Sequence, residues 1–262
     1  MIKVKDIARA IEEFAPLPLQ ETYDNAGLQV GNPEMNVSAI LLCLDVTEEI
    51  LKEAKARNCN MIVSHHPLIF KGLKNLTGST PIQRMAIDAL QSDIAIYSAH
   101  TNLDATFDGV SFEMGNNLEL NDMSVLVANA PGSETGLGVV GYTKNPVPRM
   151  EFLRKVKETF GVRALRYSGE SPHVVIRKVA LCGGSGASFI GDAIRSGADV
   201  FLTGDVKYHD FTTYGYEILI ADIGHFESEL CSRKILSRII REAYPDCIAY
   251  FSESETNPIK IL

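Results

Sequence analysis

Ala39-Ile40-Leu41-Leu42-Cys43-Leu44 and, one helix-length further on, Asn60-Met61-Ile62-Val63-Ser64-His65-His66-Pro67 decide the fold. The first run is apolar without interruption, as a strand covered on both faces must be. Thr47 is placed to cap the helix that follows, with Glu48 and Glu49 in its favourable first turn, and that helix runs to about Arg57. The second run is the next strand, and two histidines and a proline follow at its carboxyl end. A helix near 81–91 leads to a strand at 94–97, which runs into Ser98-Ala99-His100-Thr101-Asn102-Leu103-Asp104. Strand, helix, strand with buried strands is the rhythm of an α/β protein. Upstream, Val4, Ile7, Ala8, Ile11 and Phe14 have helical spacing, Pro16 and Pro18 end that helix, and 23–31 reads as a glycine-punctuated loop with a short strand. Downstream, 105–170 is less regular, broken by Gly132, Gly136 and Gly138, with a helix expected at 150–160. The rhythm then resumes: strand 179–182, helix 188–195, strands 200–203 and 218–221, one helix over 227–242, and a short final strand at 247–251.

The two regular stretches overlay. A shift of 139 carries Leu42-Cys43 onto Leu181-Cys182 and Val63-Ser64 onto Leu202-Thr203, placing His65 on Gly204 and His66 on Asp205. A shift of 125 carries His100 onto His225 and Asp104 onto Glu229. The expectation is two related α/β domains with mixed sheets flanked by helices, arising by internal duplication. They are expected at 1–125, with the HHP and HTNLD motifs, and 126–262, with TGDVKYHD and GHFESE; the C-terminal strand is left able to pack back on the first.

At 262 residues, 45% hydrophobic and 22% charged, the chain has the make-up of a folded enzyme and not of a disordered or fibrous protein. A net charge of −8 argues against a sequence-blind basic grip on nucleic acid. No apolar run reaches the ~20 residues that span a bilayer, and Met1-Ile2-Lys3-Val4-Lys5-Asp6 lacks a signal-peptide core. The five cysteines are odd in number and without a C-x-x-C pair, so reduced, packed thiols in a cytoplasm are expected.

Ligands in α/β sheets bind beyond the carboxyl ends of strands. Here four such ends carry His65 and His66; His100 and Asp104; Asp205, Lys207 and His209; and Asp222, His225 and Glu229. Five of the six histidines fall in these segments. Imidazole with carboxylate suits Zn, Mn, Fe or Ni. His225 and Glu229 share one face of a helix. Adjacent His65 and His66 can serve two neighbouring ions at an irregular strand end. Two ions ~3.5–4 Å apart, bridged by a carboxylate and a water, would make a hydroxide nucleophile at neutral pH.

Blander readings exist for each piece. A lone His-His pair is usually a surface feature, and His225-x-x-x-Glu229 alone is a solvated helix pair; their joint occurrence at equivalent strand ends favours metal. His100 lies where it would orient a ligand, and Asp45 reads equally as a helix-start residue. Gly183-Gly184-Ser185-Gly186-Ala187 reads as a tight connection more readily than as a phosphate cradle. There is no P-loop, G-x-G-x-x-G or G-x-S-x-G pattern.

The segments at 23–31, 64–71, 100–104, 203–209 and 224–229 together closely resemble the Nif-three-like family, whose members also carry the name GTP cyclohydrolase I type 2. The motifs run in family order over nearly the whole chain. The resemblance implies paired α/β domains and a dinuclear metal centre whose ligands are His65, His66, Asp104, His225 and Glu229, with a carboxylate bridging. It also implies a toroidal homohexamer with sites facing an inner cavity, and the short form of the family without an inserted domain.

The function expected is a metal-dependent hydrolase using two divalent ions per chain (Zn, Mn, Fe or Ni) to attack a small molecule, a purine nucleotide such as GTP. His100 or His209 would shuttle protons and Lys71 or Lys207 would pair with phosphate. The rival is a metal-binding scaffold or regulatory interaction protein without turnover. A cytoplasmic location, no membrane partner and no nucleic-acid partner complete the expectation.

Overall fold

A computed structural model describes all of residues 1–262. In chain order the first half runs α1 (Val4–Phe14), β1 (Gly27–Val30), β2 (Ile40–Cys43), α2 (Glu48–Ala56), β3 (Met61–Ser64), α3 (Pro81–Gln91), β4 (Ala95–Ser98), α4 (Thr101–Ala105) and α5 (Val110–Asn117). The second half runs β5 (Asn121–Ala128), β6 (Gly136–Pro148), α6 (Arg149–Thr159), β7 (Arg166–Tyr167), β8 (Val175–Leu181), α7 (Ile190–Arg195), β9 (Val200–Thr203), α8 (Tyr208–Tyr214), β10 (Leu219–Asp222), α9 (His225–Glu229), α10 (Ser232–Ala243) and β11 (Ala249–Phe251). No helix is long and apolar enough to cross a membrane.

The chain divides into two compact units, Met1–Leu103 with Ser232–Thr256, and Asp104–Cys231 with Asn257–Leu262. Each contains one mixed sheet flanked by helices, the fold class expected. The first sheet has the order β1-β4-β3-β2-β11, with β2, β3, β4 and β11 parallel and β1 antiparallel. Its central strands are buried at every position, which is why their sequences are apolar throughout. The register pairs Cys43 with Ser64 and Ser64 with Ser98. Three strands therefore end at one level, and the residues just beyond them leave the sheet side by side.

The second sheet has the order β5-β6-β8-β9-β10-β7, with β8, β9 and β10 parallel. Its run β7-β10-β9-β8 repeats the order β1-β4-β3-β2, down to the antiparallel strand beside the third parallel one. Thr203 pairs with Asp222 at the strand ends.

Two stretches differ from the sequence expectation. The irregular 105–170 region holds helix α5 and the long hairpin β5–β6. Gly136 conceals it: a Cβ there would lie 2.1 Å from the Val127 carbonyl oxygen, so glycine is required where the hairpin strands meet, yet it reads as a breaker in sequence. The single helix expected over 227–242 is two helices, α9 and α10, so that His225 and Glu229 occupy a separate short helix. The unit boundary also falls at 103/104 and not at 125/126, because α5 packs on β6 and β8 of the second sheet. Helix α10, by contrast, returns to α1, β2 and β11 of the first.

Candidate metal centre

The first unit brings three imidazoles together beyond β3 and β4. His65 is fully buried, His66 and His100 are partly buried, and their ligand atoms all lie within 4.8 Å of one another. Ring centroids are 5.1 to 5.3 Å apart. The parallel ladder continues into the motif: the His65 N–H donates to the Cys43 carbonyl at 3.2 Å and the His66 N–H to that of Leu44 at 2.9 Å. Ser64 and Ser98 then clamp the turn by donating their hydroxyls to the His66 carbonyl at 2.8 and 3.2 Å.

Each of these rings has its Nδ1 against an oxygen acceptor. His65 Nδ1 lies 2.8 Å from the Ala99 carbonyl, His66 Nδ1 2.8 Å from Asp45 Oδ1, and His100 Nδ1 2.7 Å from Asp24 Oδ1. A carbonyl oxygen cannot donate, so Nδ1 of His65 carries the proton and the basic lone pair sits on Nε2. Second carboxylate or carbonyl partners of this kind hold the imidazoles of metal sites in one tautomer and orientation. Asp24, whose side chain has no exposed surface, also accepts the Thr101 hydroxyl and the Thr101 N–H. Burial pushes its carboxyl up, but hydrogen bonds from His100, Thr101 and the Asn25 amide outweigh this and hold it at about 2.

In the second unit His225 begins α9 and Glu229 lies one turn on, its side chain buried. His225 Nδ1 is 2.7 Å from Asp205 Oδ2, and its Nε2 is 2.9 Å from Glu229 Oε2. With Nδ1–H donated to Asp205, a nitrogen lone pair and a carboxylate oxygen face each other across 2.9 Å, so a proton or a cation has to neutralise the pair. Glycines make room for this arrangement. A Cβ on Gly184, at φ +62°, would stand 2.0 Å from Glu229 Oε1, and one on Gly204 would stand 2.7 Å from the His225 main-chain nitrogen. The Gly-rich connection after β8 is therefore the seat of a carboxylate. Asp205 itself is in the left-handed region at φ +55°.

The donor set is nitrogen and oxygen. Burial, then the Asp104 and Glu229 charges, pushes the Cys182 thiol up; burial and nearby carboxylates do the same to Cys43 and Cys231. These buried thiols stand in none of the groupings of ligand-type side chains, which hold imidazoles and carboxylates alone, a set that fits a divalent transition ion. Asp104 sits in α4, partly buried. His209 is placed otherwise: it is exposed on α8 with its ring 5.4 Å from Tyr208, outside the imidazole cluster. Lys71 and Lys207 are also exposed. Sequence reasoning left Asp45 and Asp205 undecided and gave Asp24 no separate role. The only signal was an aspartate shortly after a strand or beside a glycine, which is common in any α/β chain.

Each α/β unit thus carries imidazoles or carboxylates of metal-ligand type just beyond its parallel strands. The family model for Duf34/NIF3 (NGG1p interacting factor 3) matches residues 2–258, and the chain belongs to that family. A Clostridium perfringens protein named GTP cyclohydrolase 1 type 2 homolog is 41% identical, over 87% of this chain and 87% of that one. A Clostridium acetobutylicum protein of the same name is 38% identical over 92% of this chain and 91% of its own length. A crystal structure of a Staphylococcus aureus protein superposes with a TM-score of 0.90 at 26% identity, covering 100% of this chain and 99% of that one.

Proposed function

We propose that this protein is a hydrolase dependent on two divalent ions held by His65, His66, Asp104, His225 and Glu229, acting on a small molecule of the purine nucleotide class. The observation that carries the reading is that the ligand atoms of His65, His66 and His100 lie within 4.8 Å of one another, with each Nδ1 held by an oxygen acceptor. His173 also sets Nδ1 against a carboxylate, that of Asp199 at 3.2 Å, so it is this convergence of oriented imidazoles, and not the Nδ1 contact alone, that points to a metal. Two ions in this set would supply Lewis acidity and a nucleophile at neutral pH. The relatives' name supports the substrate class; in that version water adds at the imidazole ring carbon of the guanine base.

The chain's own groups would then do the following. Asp45 and Asp205 hold the His66 and His225 rings in the ligating tautomer. His100, backed by Asp24, accepts and returns a proton, with exposed His209 as the second candidate for that task. Lys71 and Lys207 are the cations offered to phosphate. A toroidal homohexamer in the cytoplasm is the assembly and location that family resemblance supports.

The test is elemental analysis of wild type and Glu229→Ala, followed by a screen of nucleotides and phosphoesters with Mn, Zn or Fe restored. Two ions per chain and a hydrolysis lost in the variant support the reading. Two ions with no turnover on any substrate favour a metal-binding scaffold, and no ion after reconstitution overturns both.

A further inference from the structure

Glu255, near the C-terminus, reaches back into the first unit and accepts the main-chain N–H groups of Leu44 and Asp45, the second at 3.2 Å. Its side chain is 4% exposed, and its other oxygen is 2.8 Å from the Arg233 guanidinium of α10. These amides stand at the carboxyl end of β2. The Leu44 carbonyl receives the His66 N–H, and the Asp45 carboxylate receives the His66 Nδ1–H. One carboxylate thus fixes both main-chain positions that hold the His66 residue.

The second unit repeats the device with different residues. Asp222, at the end of β10 and 4% exposed, is bonded to the Arg166 guanidinium. It accepts the Val206 N–H at 3.0 Å and the Gly224 N–H at 3.0 Å. Val206 follows Asp205, which orients His225, and Gly224, at φ +88°, precedes His225 itself. The Asp205 backbone is in the left-handed region, so an anchor on the next amide is what keeps its carboxylate aimed.

We propose that Glu255, and Asp222 in the second unit, are positioning residues: each is an arginine-neutralised buried carboxylate that fixes the amides carrying the aspartate which orients a metal-site histidine. The inference rests on the metal reading above. A buried carboxylate is costly unless paired and hydrogen-bonded, and both are spent on main-chain N–H groups beside these aspartates. Glu53 supplies the control. It is buried, holds the same C-terminal segment through the Ser252 hydroxyl and the Glu253 and Ser254 amides, and makes no bond to Leu44 or Asp45.

The experiment compares wild type, Glu255→Gln, Glu255→Asp, Asp222→Asn and Glu53→Gln by Mn and Zn titration, and by imidazole nitrogen NMR of the metal-free proteins. Glu255→Gln is expected to lose about 10-fold in affinity, in the range found for outer partners of metal ligands, and to lose the bonded Nδ1–H signal of His66. Asp222→Asn is expected to do the same to His225. Glu53→Gln is expected to lower the melting temperature and move neither readout. Glu255→Asp, which keeps the charge and shortens the reach, serves where the glutamine variant does not fold. Wild-type affinity with an intact His66 signal in the Glu255 variants overturns the proposal. If wild type itself takes up no metal, the metal reading fails, and the metal-free NMR still decides whether Glu255 and Asp222 position the rings.

Discussion

The two units present their candidate ligands from matching strand ends but hold them by different means. In the first, His65 and His66 prolong a parallel ladder, and side-chain hydroxyls and carboxylates fix the turn. In the second, the strand end becomes Gly204-Asp205, and the ligands move to a one-turn helix wedged against glycines. A shared topology therefore fixes where the groups emerge, while local packing decides which residue types are required. Both units orient an imidazole with an aspartate, Asp45 on His66 and Asp205 on His225, and the second differs in also requiring the absence of side chains that would block its carboxylate.

That contrast is broken most severely at Gly184. Gly184→Ala places a methyl group on the Glu229 carboxylate and forces an alanine to φ +62°. Metal affinity is expected to fall by on the order of 100-fold or more, as read by titration. Near-wild-type affinity would show that Glu229 has room to move. Next come the orienting aspartates. Asp45→Ala and Asp205→Ala are each expected to weaken metal binding by about 10- to 100-fold. Asp205→Ala should also destabilise the fold more, since alanine tolerates the left-handed region poorly, and Asp205→Asn should restore stability without restoring full affinity. Equal melting temperatures for Asp205→Ala and Asp205→Asn would contradict the strained placement.

The repeat was legible in sequence because buried parallel strands leave continuous apolar runs and because His100/His225 and Asp104/Glu229 recur at one spacing. The imidazoles and carboxylates at the strand ends were legible for the same reason. The hairpin β5–β6 was not, since the close approach that demands Gly136 looks like a chain break. Nor was Glu255, whose partners Leu44 and Asp45 lie 211 and 210 residues away along the chain. Asp24, Asp45 and Asp205 became meaningful only once their carboxylates were seen against imidazole nitrogens.

Acid titration sharpens the comparison at the level of the fold. Burial raises the Glu53 carboxyl, but the Ser252 hydroxyl and the Glu253 and Ser254 amides outweigh it and hold it at about 2, below its ordinary value of 4.5. A depressed carboxyl contributes stability that is complete above 4.5 and is lost as pH falls toward 2. Glu53→Gln should therefore flatten the fall in melting temperature between pH 5 and pH 2, and an unchanged slope would refute the assignment. The smallest effect belongs to Thr47, whose hydroxyl accepts the Ile50 N–H and caps α2. Thr47→Ala should cost about 1 kcal/mol and leave metal affinity at the wild-type value. A loss of affinity would mean that the helix cap, and not Glu255, places Asp45.

The most direct test of the central claim is anomalous diffraction at the Mn edge from crystals grown with Mn. The account predicts two peaks per chain, ~3.5–4 Å apart, ligated by His65, His66, Asp104, His225 and Glu229, with Glu229→Ala losing at least one of them. Peaks confined to surface carboxylates, or none at these histidines, would contradict it.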